Sequence, residues 1–146
     1  LKARAAMPDL AGRATFAEPV DFKDVRPIMR RCRIGLAPVS ARCGCEKRQY
    51  ASPLKLVEWL AAGVPAIATT VPSVAQLAKN EETALLVPPD NSQMLAAAMG
   101  RLLDDAPLRD RLASAGIQLA RTLSHPERAR GIAAFLESLA AAEARK

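Results

Sequence analysis

The chain has 146 residues, half of them apolar, 3% aromatic and 25% charged, and a mean hydropathy of +0.02, a balance that supports one folded domain or part of one and argues against disorder. Its net charge of +6 is carried by residues 1–50, which hold eleven Lys/Arg and five Asp/Glu, while 51–146 hold ten of each. No apolar run approaches the ~20 residues of a membrane helix and we read no secretory leader, so the expected location is cytoplasmic.

Residues 14–20 read as a strand. A helix is expected from Asp24, because Val25, Ile28, Met29 and Cys32 recur at the spacing of one helical face, which places Cys32 in the core. The apolar run 34–39 has the length of a strand covered on both faces. Residues 40–51 are polar and basic without a period and read as a loop. Ser52 as N-cap, with Pro53 at the first helical position, opens a helix that Gly63 and Pro65 close. Residues 64–69 and 84–87 are further buried strands. Beyond Pro88 and Pro89 the pattern is helical. Leu95, Met99, Leu102 and Leu103 form one stripe, Leu108, Leu112, Ala115 and Leu119 a second, and Ile132, Phe135, Leu136, Leu139 and Ala140 a third. Ser124-His125-Pro126-Glu127 is a capping box, so His125 is a first-turn residue rather than a ligand. Strands alternating with helical crossovers predict an α/β fold: a Rossmann-like parallel sheet with helices on both faces, ending in a helical tail. Three or four strands are few for such a domain and the first residue is Leu1, so we expect the N-terminal strands to be missing from the chain.

Cys32, Cys43 and Cys45 are odd in number and lack the spacing of a disulfide framework, which predicts reduced thiols. Cys43 and Cys45 have no second pair to complete a zinc site, and the single histidine, His125, is far away. Two basic clusters, Arg30/Arg31/Arg33 and Arg42/Lys47/Arg48, read as a solvated face or as the mark of an anionic partner. Nucleic acid is disfavoured, since no aromatic residues interleave with them for base stacking. Neither G-x-G-x-x-G nor a P-loop is present.

Ligands of open α/β sheets lie beyond the carboxyl ends of the strands, which points to the loop from residue 40 and the helix start at Ser52. Lys55 stands in the first turn, where the helix dipole disfavours a cation. An anion nearby resolves that conflict; a solvated lysine, or one paired with Glu58 at i+3, is the other reading. On a helical wheel Glu58 borders the apolar residues Leu54, Val57 and Ala61. It either reaches for water or accepts two hydrogen bonds from a vicinal diol, as carboxylates do with ribose.

At these residues the sequence resembles a family. Tyr50-Ala51-Ser52-Pro53-Leu54-Lys55-Leu56-Val57-Glu58-Trp59-Leu60-Ala61-Ala62-Gly63-Val64-Pro65 is similar to the donor-site segment of GT-B glycosyltransferases, in the large retaining group that uses nucleotide-activated sugars. Arg33-Ile34-Gly35-Leu36-Ala37-Pro38 resembles the strand before it. Asn80-Glu81-Glu82-Thr83-Ala84-Leu85-Leu86-Val87-Pro88-Pro89-Asp90 resembles the later turn and strand, and the closing helices resemble the family's tail. The resemblance implies that residues 1–146 are the C-terminal part of the donor-binding domain, with the acceptor-binding domain outside the chain.

It further implies that Glu58 matches the second acidic residue of the family's E-x7-E motif, which binds the ribose. Ser52 and Lys55 match a variant in which Ser-Pro-x-Lys opens this helix beside the diphosphate, so Tyr50, Ser52, Pro53, Leu54, Lys55 and Glu58 are the donor-binding candidates. No catalytic residue is identified. Two positions depart from the family. Tyr50 stands at the first acidic position, and Pro72, Ser73 and Gln76 replace the Gly-Gly-x-x-Glu stretch. The implied activity is transfer of a sugar from a nucleoside diphosphate to an acceptor hydroxyl with retention, the acceptor being a glycan, a lipid or a small molecule. No cofactor and no tightly bound metal are expected, because no acidic cluster is present to hold one. Peripheral contact with the inner membrane surface is compatible with this reading, and the chain alone is expected to be inactive. A nucleotide-sugar epimerase of the same fold and a non-catalytic anion- or RNA-binding module are the alternatives.

Overall fold

The computed structural model describes residues 12–42 and 52–143, ordered as α1 (Phe22–Arg30), β1 (Gly35–Ala37), α2 (Leu54–Ala62), β2 (Ala66–Thr69), α3 (Pro72–Ala75), β3 (Leu85–Val87), α4 (Ser92–Asp104), α5 (Ala106–Thr122) and α6 (His125–Glu143). Among these residues the strands form one parallel sheet in the order β1-β2-β3, with Gly35 opposite Ala66 and Ile67 opposite Leu85.

Alternation along the strands sends side chains to two helical layers. Ala37, Ala66 and Ala68 face α2 and α3, joining Leu56, Leu60, Val71 and Val74 in one cluster. Ile67, Leu85 and Val87 point the other way, to Leu102 of α4 and Leu108 and Leu112 of α5. Helices therefore cover both faces, as expected. Small alanines on the α2 side let that helix lie close to the sheet. Trp59 packs flat on Gly35, where an added Cβ would lie 2.3 Å from the indole Cδ2. Gly63 ends α2 in the left-handed region at φ 74°, its N–H closing on the Leu60 carbonyl.

Side chains close the ends of the next two long helices. Asn91 caps α4 through the Met94 N–H and Asp105 caps α5 through the Leu108 N–H. Arg109 donates to the last carbonyls of α4, those of Leu102 and Leu103. Arg101 pairs with Glu81 and ties α4 to the turn before β3.

Three expectations are corrected. Residues 14–20 form no strand; all are exposed, Phe16 at 45% and Val20 at 48%. They bury no face on the sheet, and Pro19 lacks a ladder donor. Helix α1 begins at Phe22 rather than Asp24 and ends at Arg30, so Cys32 falls beyond the helix and is exposed. Only Met29 of its stripe is buried. The third apolar stripe, on α6, is uncovered: Ile132, Phe135, Leu136 and Leu139 are all exposed. Cys43, Cys45, Lys47 and Arg48 lie outside the described residues. Among those described, no helix is long and apolar enough to cross a membrane.

Candidate functional site

At the carboxyl rim of the sheet, β1 runs into Pro38, Val39 and Ser40, and α2 begins beside them. With Ser73 and Val74 of α3 they enclose a cavity of about 430 Å³. Ser52, Pro53, Leu54 and Lys55 all line it.

The start of α2 differs from the expected cap. Pro53 rather than Ser52 is the N-cap, at φ −80° and ψ 53°, and its carbonyl accepts from Val57 N. The Leu54 N–H turns back onto the Ser52 carbonyl at 2.8 Å, so the chain enters the helix one residue later. Proline offers no side-chain acceptor, and no side chain caps the helix. Of the first-turn amides at the cavity wall, that of Leu54 is taken by Ser52, and among the described residues no side chain caps those of Lys55 and Leu56.

Glu58 takes a different place from its expected one. The residues that define its apolar border, Leu54 and Ala61, point outward, Leu54 at 63% exposure, whereas Leu56 and Leu60 form the buried face. Three- and four-residue spacing describes both faces of this apolar helix, and only the sheet's position distinguishes them. Glu58 consequently has a side chain 40% exposed and lines a second cavity of about 300 Å³ between α1 and α2, with Phe22, Val25, Arg26 and Met29. Arg26 reaches across that gap to the Ala61 carbonyl at 3.1 Å. Lys55 connects the two cavities, its Nζ donating to Glu58 Oε2 at 2.6 Å. In the structure Lys55 is paired with Glu58 at i+3. Residues 52–55 therefore share one cavity and Glu58 the neighbouring one, while Tyr50 lies outside the described residues.

Sequence reasoning missed two side chains that shape the rim. Thr69, buried at 4% at the end of β2, accepts from Val39 N at 2.7 Å and donates to Val39 O at 2.9 Å. Asp90 accepts from Ser40 Oγ at 2.6 Å, Ala41 N at 2.9 Å and Arg42 N at 3.2 Å. The Ser40 hydroxyl above all, with help from the two amides, holds the Asp90 carboxyl below its ordinary value against a smaller desolvation effect. The available signal was an acidic residue directly after Pro88-Pro89 at a strand's carboxyl end. Among the described residues no group of three His, Cys, Asp or Glu side chains could hold a metal ion.

Comparison with known proteins gives this rim its context. The family model described as glycosyl transferases group 1 matches residues 1–105. The chain belongs to that family. Sucrose-phosphate synthase from Thermosynechococcus elongatus matches 97% of this group 1 chain with a TM-score of 0.76 and 26% identity, over 34% of its own length. Anabaena HepE, solved in complex with UDP-glucose, matches 94% of it with a TM-score of 0.74 and 19% identity, over 35% of its own length. An exopolysaccharide phosphotransferase of Streptomyces coelicolor is 46% identical over 59 residues, which are 40% of this chain and 6% of that protein. The group 1 chain thus spans about a third of the length of these two solved proteins. Its three parallel strands and flanking helices are the C-terminal, Rossmann-like half of a GT-B fold.

Proposed function

We propose that this group 1 chain supplies the nucleotide-sugar site of a retaining glycosyltransferase, residues 1–146 being the C-terminal part of its donor domain. The observation that carries the reading is the junction, at the carboxyl rim, of an uncapped helix start, Lys55 and a cavity of about 430 Å³. A protein of the same fold was solved with UDP-glucose, which supports it.

In the proposed complex the diphosphate lies against the first-turn amides of α2, where the helix dipole favours negative charge. Lys55 Nζ leaves Glu58 for a phosphate oxygen. Both side chains are well exposed, at 62% and 40%, and a surface i,i+3 pair is worth only about 0.2–0.5 kcal/mol, so the exchange costs little. The Glu58 carboxylate is then free to accept from the two vicinal hydroxyls of the ribose. As the bond between the sugar's anomeric carbon and the phosphate oxygen breaks, the amides and Lys55 stabilise the charge on the departing diphosphate. The acceptor hydroxyl oxygen bonds to the face the phosphate leaves, which retains configuration, and its proton passes to an oxygen of the departing diphosphate. On this reading the acceptor binds to a separate domain outside residues 1–146.

Calorimetric titration with UDP, GDP, uridine and a random RNA oligomer tests the reading. The expected result is a preference for a nucleoside diphosphate at physiological salt. Binding that favours RNA, falls steeply with salt and shows no nucleotide preference overturns it in favour of an electrostatic module. The 146-residue chain is expected to bind without transferring sugar. Transfer from a labelled donor by the purified chain, abolished in Glu58→Gln, would instead make it a complete enzyme.

A further inference from the structure

We infer that Asp90 is a positioning residue for this site: from the turn after β3, its carboxylate grips the backbone at 40–42 and sets the cavity wall that faces the first turn of α2. What that wall serves rests on the donor-site reading above; the clamp itself rests on geometry.

Strand β1 is only three residues long, so the chain leaves the ladder at Pro38 with no sheet hydrogen bonds to define its path. Val39 and Ser40 nonetheless form part of the wall opposite Lys55. Side chains from the ends of the neighbouring strands supply the missing constraint. Thr69 stitches both backbone groups of Val39 to β2. Asp90 then takes the next three residues, accepting from Ser40 Oγ, Ala41 N and Arg42 N across 48 to 50 positions of sequence. Ser40 Oγ in turn accepts from Arg42 N at 3.2 Å, which closes the group.

Asp90 is aimed by its own backbone. It sits at φ 58°, a left-handed conformation that Asp tolerates better than most residues. Pro89 precedes it, and Asn91, the N-cap of α4, follows. The turn is anchored to β3 on one side and to α4 on the other, so the carboxylate is held by rigid elements while the loop it grips is not part of one. Because its hydrogen bonds favour the ionised form, the clamp stays charged at neutral pH.

The test uses the 146-residue chain with UDP as probe, measured by calorimetry, and with the backbone amide resonances of Ala41 and Arg42 followed by NMR. Asp90→Asn removes the charge and one acceptor oxygen: an amide oxygen in the Oδ2 place still meets both backbone N–H groups, but without the charge, and an NH2 donor then stands where Oδ1 accepts from the Ser40 hydroxyl. The expected outcome is an about tenfold or greater loss of UDP affinity, since small misplacements of a binding group are costly, together with shifted Ala41 and Arg42 resonances. Glu81→Gln is the control, because it breaks the Glu81–Arg101 pair in the turn before β3 without touching the loop; it is expected to leave UDP affinity unchanged. Equal losses in both variants, or unchanged affinity in Asp90→Asn, overturn the inference. If Asp90→Asn does not fold, Ser40→Ala carries the same comparison with a smaller expected loss, and unchanged affinity there overturns it. If the wild-type chain binds neither UDP nor GDP, the donor reading fails on its own. The clamp is then decided by the amide resonances, which overturn it if they do not move in Asp90→Asn.

Discussion

Lys55 is a cation at the end of a helix that repels it, and its 2.6 Å contact with Glu58 compensates for that placement. If its role is charge on a diphosphate, Lys55→Ala should weaken UDP far more than uridine, and comparing nucleoside, monophosphate and diphosphate affinities checks this. A uniform loss across the three would indicate a folding defect. Glu58→Gln removes a charged acceptor worth about 1.5–3 kcal/mol in a hydrogen bond to a ligand, so UDP affinity should fall by roughly 10- to 150-fold with the melting temperature unchanged. If Glu58 merely parks Lys55, the double variant will bind no worse than Lys55→Ala, which a double-mutant cycle resolves. Acid sensitivity also belongs to single residues. Asp90 is held below its ordinary value chiefly by Ser40, and Glu81 chiefly by Arg101. A depressed carboxyl contributes stability above its unfolded-state value, near about pH 4, and loses it as pH falls through the lower folded value. Thermal melts at descending pH should therefore show stability dropping below about pH 4, with a shallower drop in Asp90→Asn and in Glu81→Gln. Lys55 and Glu58 were legible in the sequence because their three-residue spacing is local. Asp90 was not, since its partners lie some fifty residues away along the chain.

At the scale of elements, the described sheet has two edges, and a side chain occupies each. In a parallel ladder alternate residues bond to the neighbouring strand. Gly35 N donates to the Pro65 carbonyl, so Leu36 turns its backbone groups away from β2, and the Trp59 indole N–H meets its carbonyl at 3.1 Å. On β3 the outward Leu86 N–H is taken by the Asn80 amide oxygen at 2.8 Å. Such covers limit edge-to-edge pairing. Trp59→Phe keeps a ring against Gly35 but removes the donor, and should cost about 1 kcal/mol in urea melts while raising association at high concentration in sedimentation. Gly35→Ala drives a Cβ into the indole and should cost about 1–3 kcal/mol; a stability equal to wild type would mean that the indole moves freely. The order of these strands and helices could be read from apolar runs, and the end of α2 from the stop signal Gly63. The capping of α2 could not, because Ser52 and Pro53 both suit a helix start and a single backbone turn at Leu54 selects between them.

For the molecule as a whole, the buried core ends with α5. Among the described residues, helix α6 contributes no buried side chain, so ending the chain after Ser124 should leave the melting temperature within a few degrees of wild type and should reduce any binding of a hydrophobic dye. A large loss of stability on truncation would show that the apolar face of α6 is covered in solution. By itself the sequence determined what is local: the parallel α/β order, the end of α2 at Gly63, and the placing of Lys55 and Glu58 one helical turn apart. Only the tertiary structure decided which apolar faces are covered, that Leu56 and Leu60 rather than Leu54 and Ala61 meet the sheet, that Cys32 and residues 14–20 stay outside, and that Thr69 and Asp90 shape the cavity. The reason is physical. Periodicity reports that a face is apolar and spacing that two groups are neighbours along a helix, but burial and long-range hydrogen bonds depend on which surface the rest of the chain brings against them.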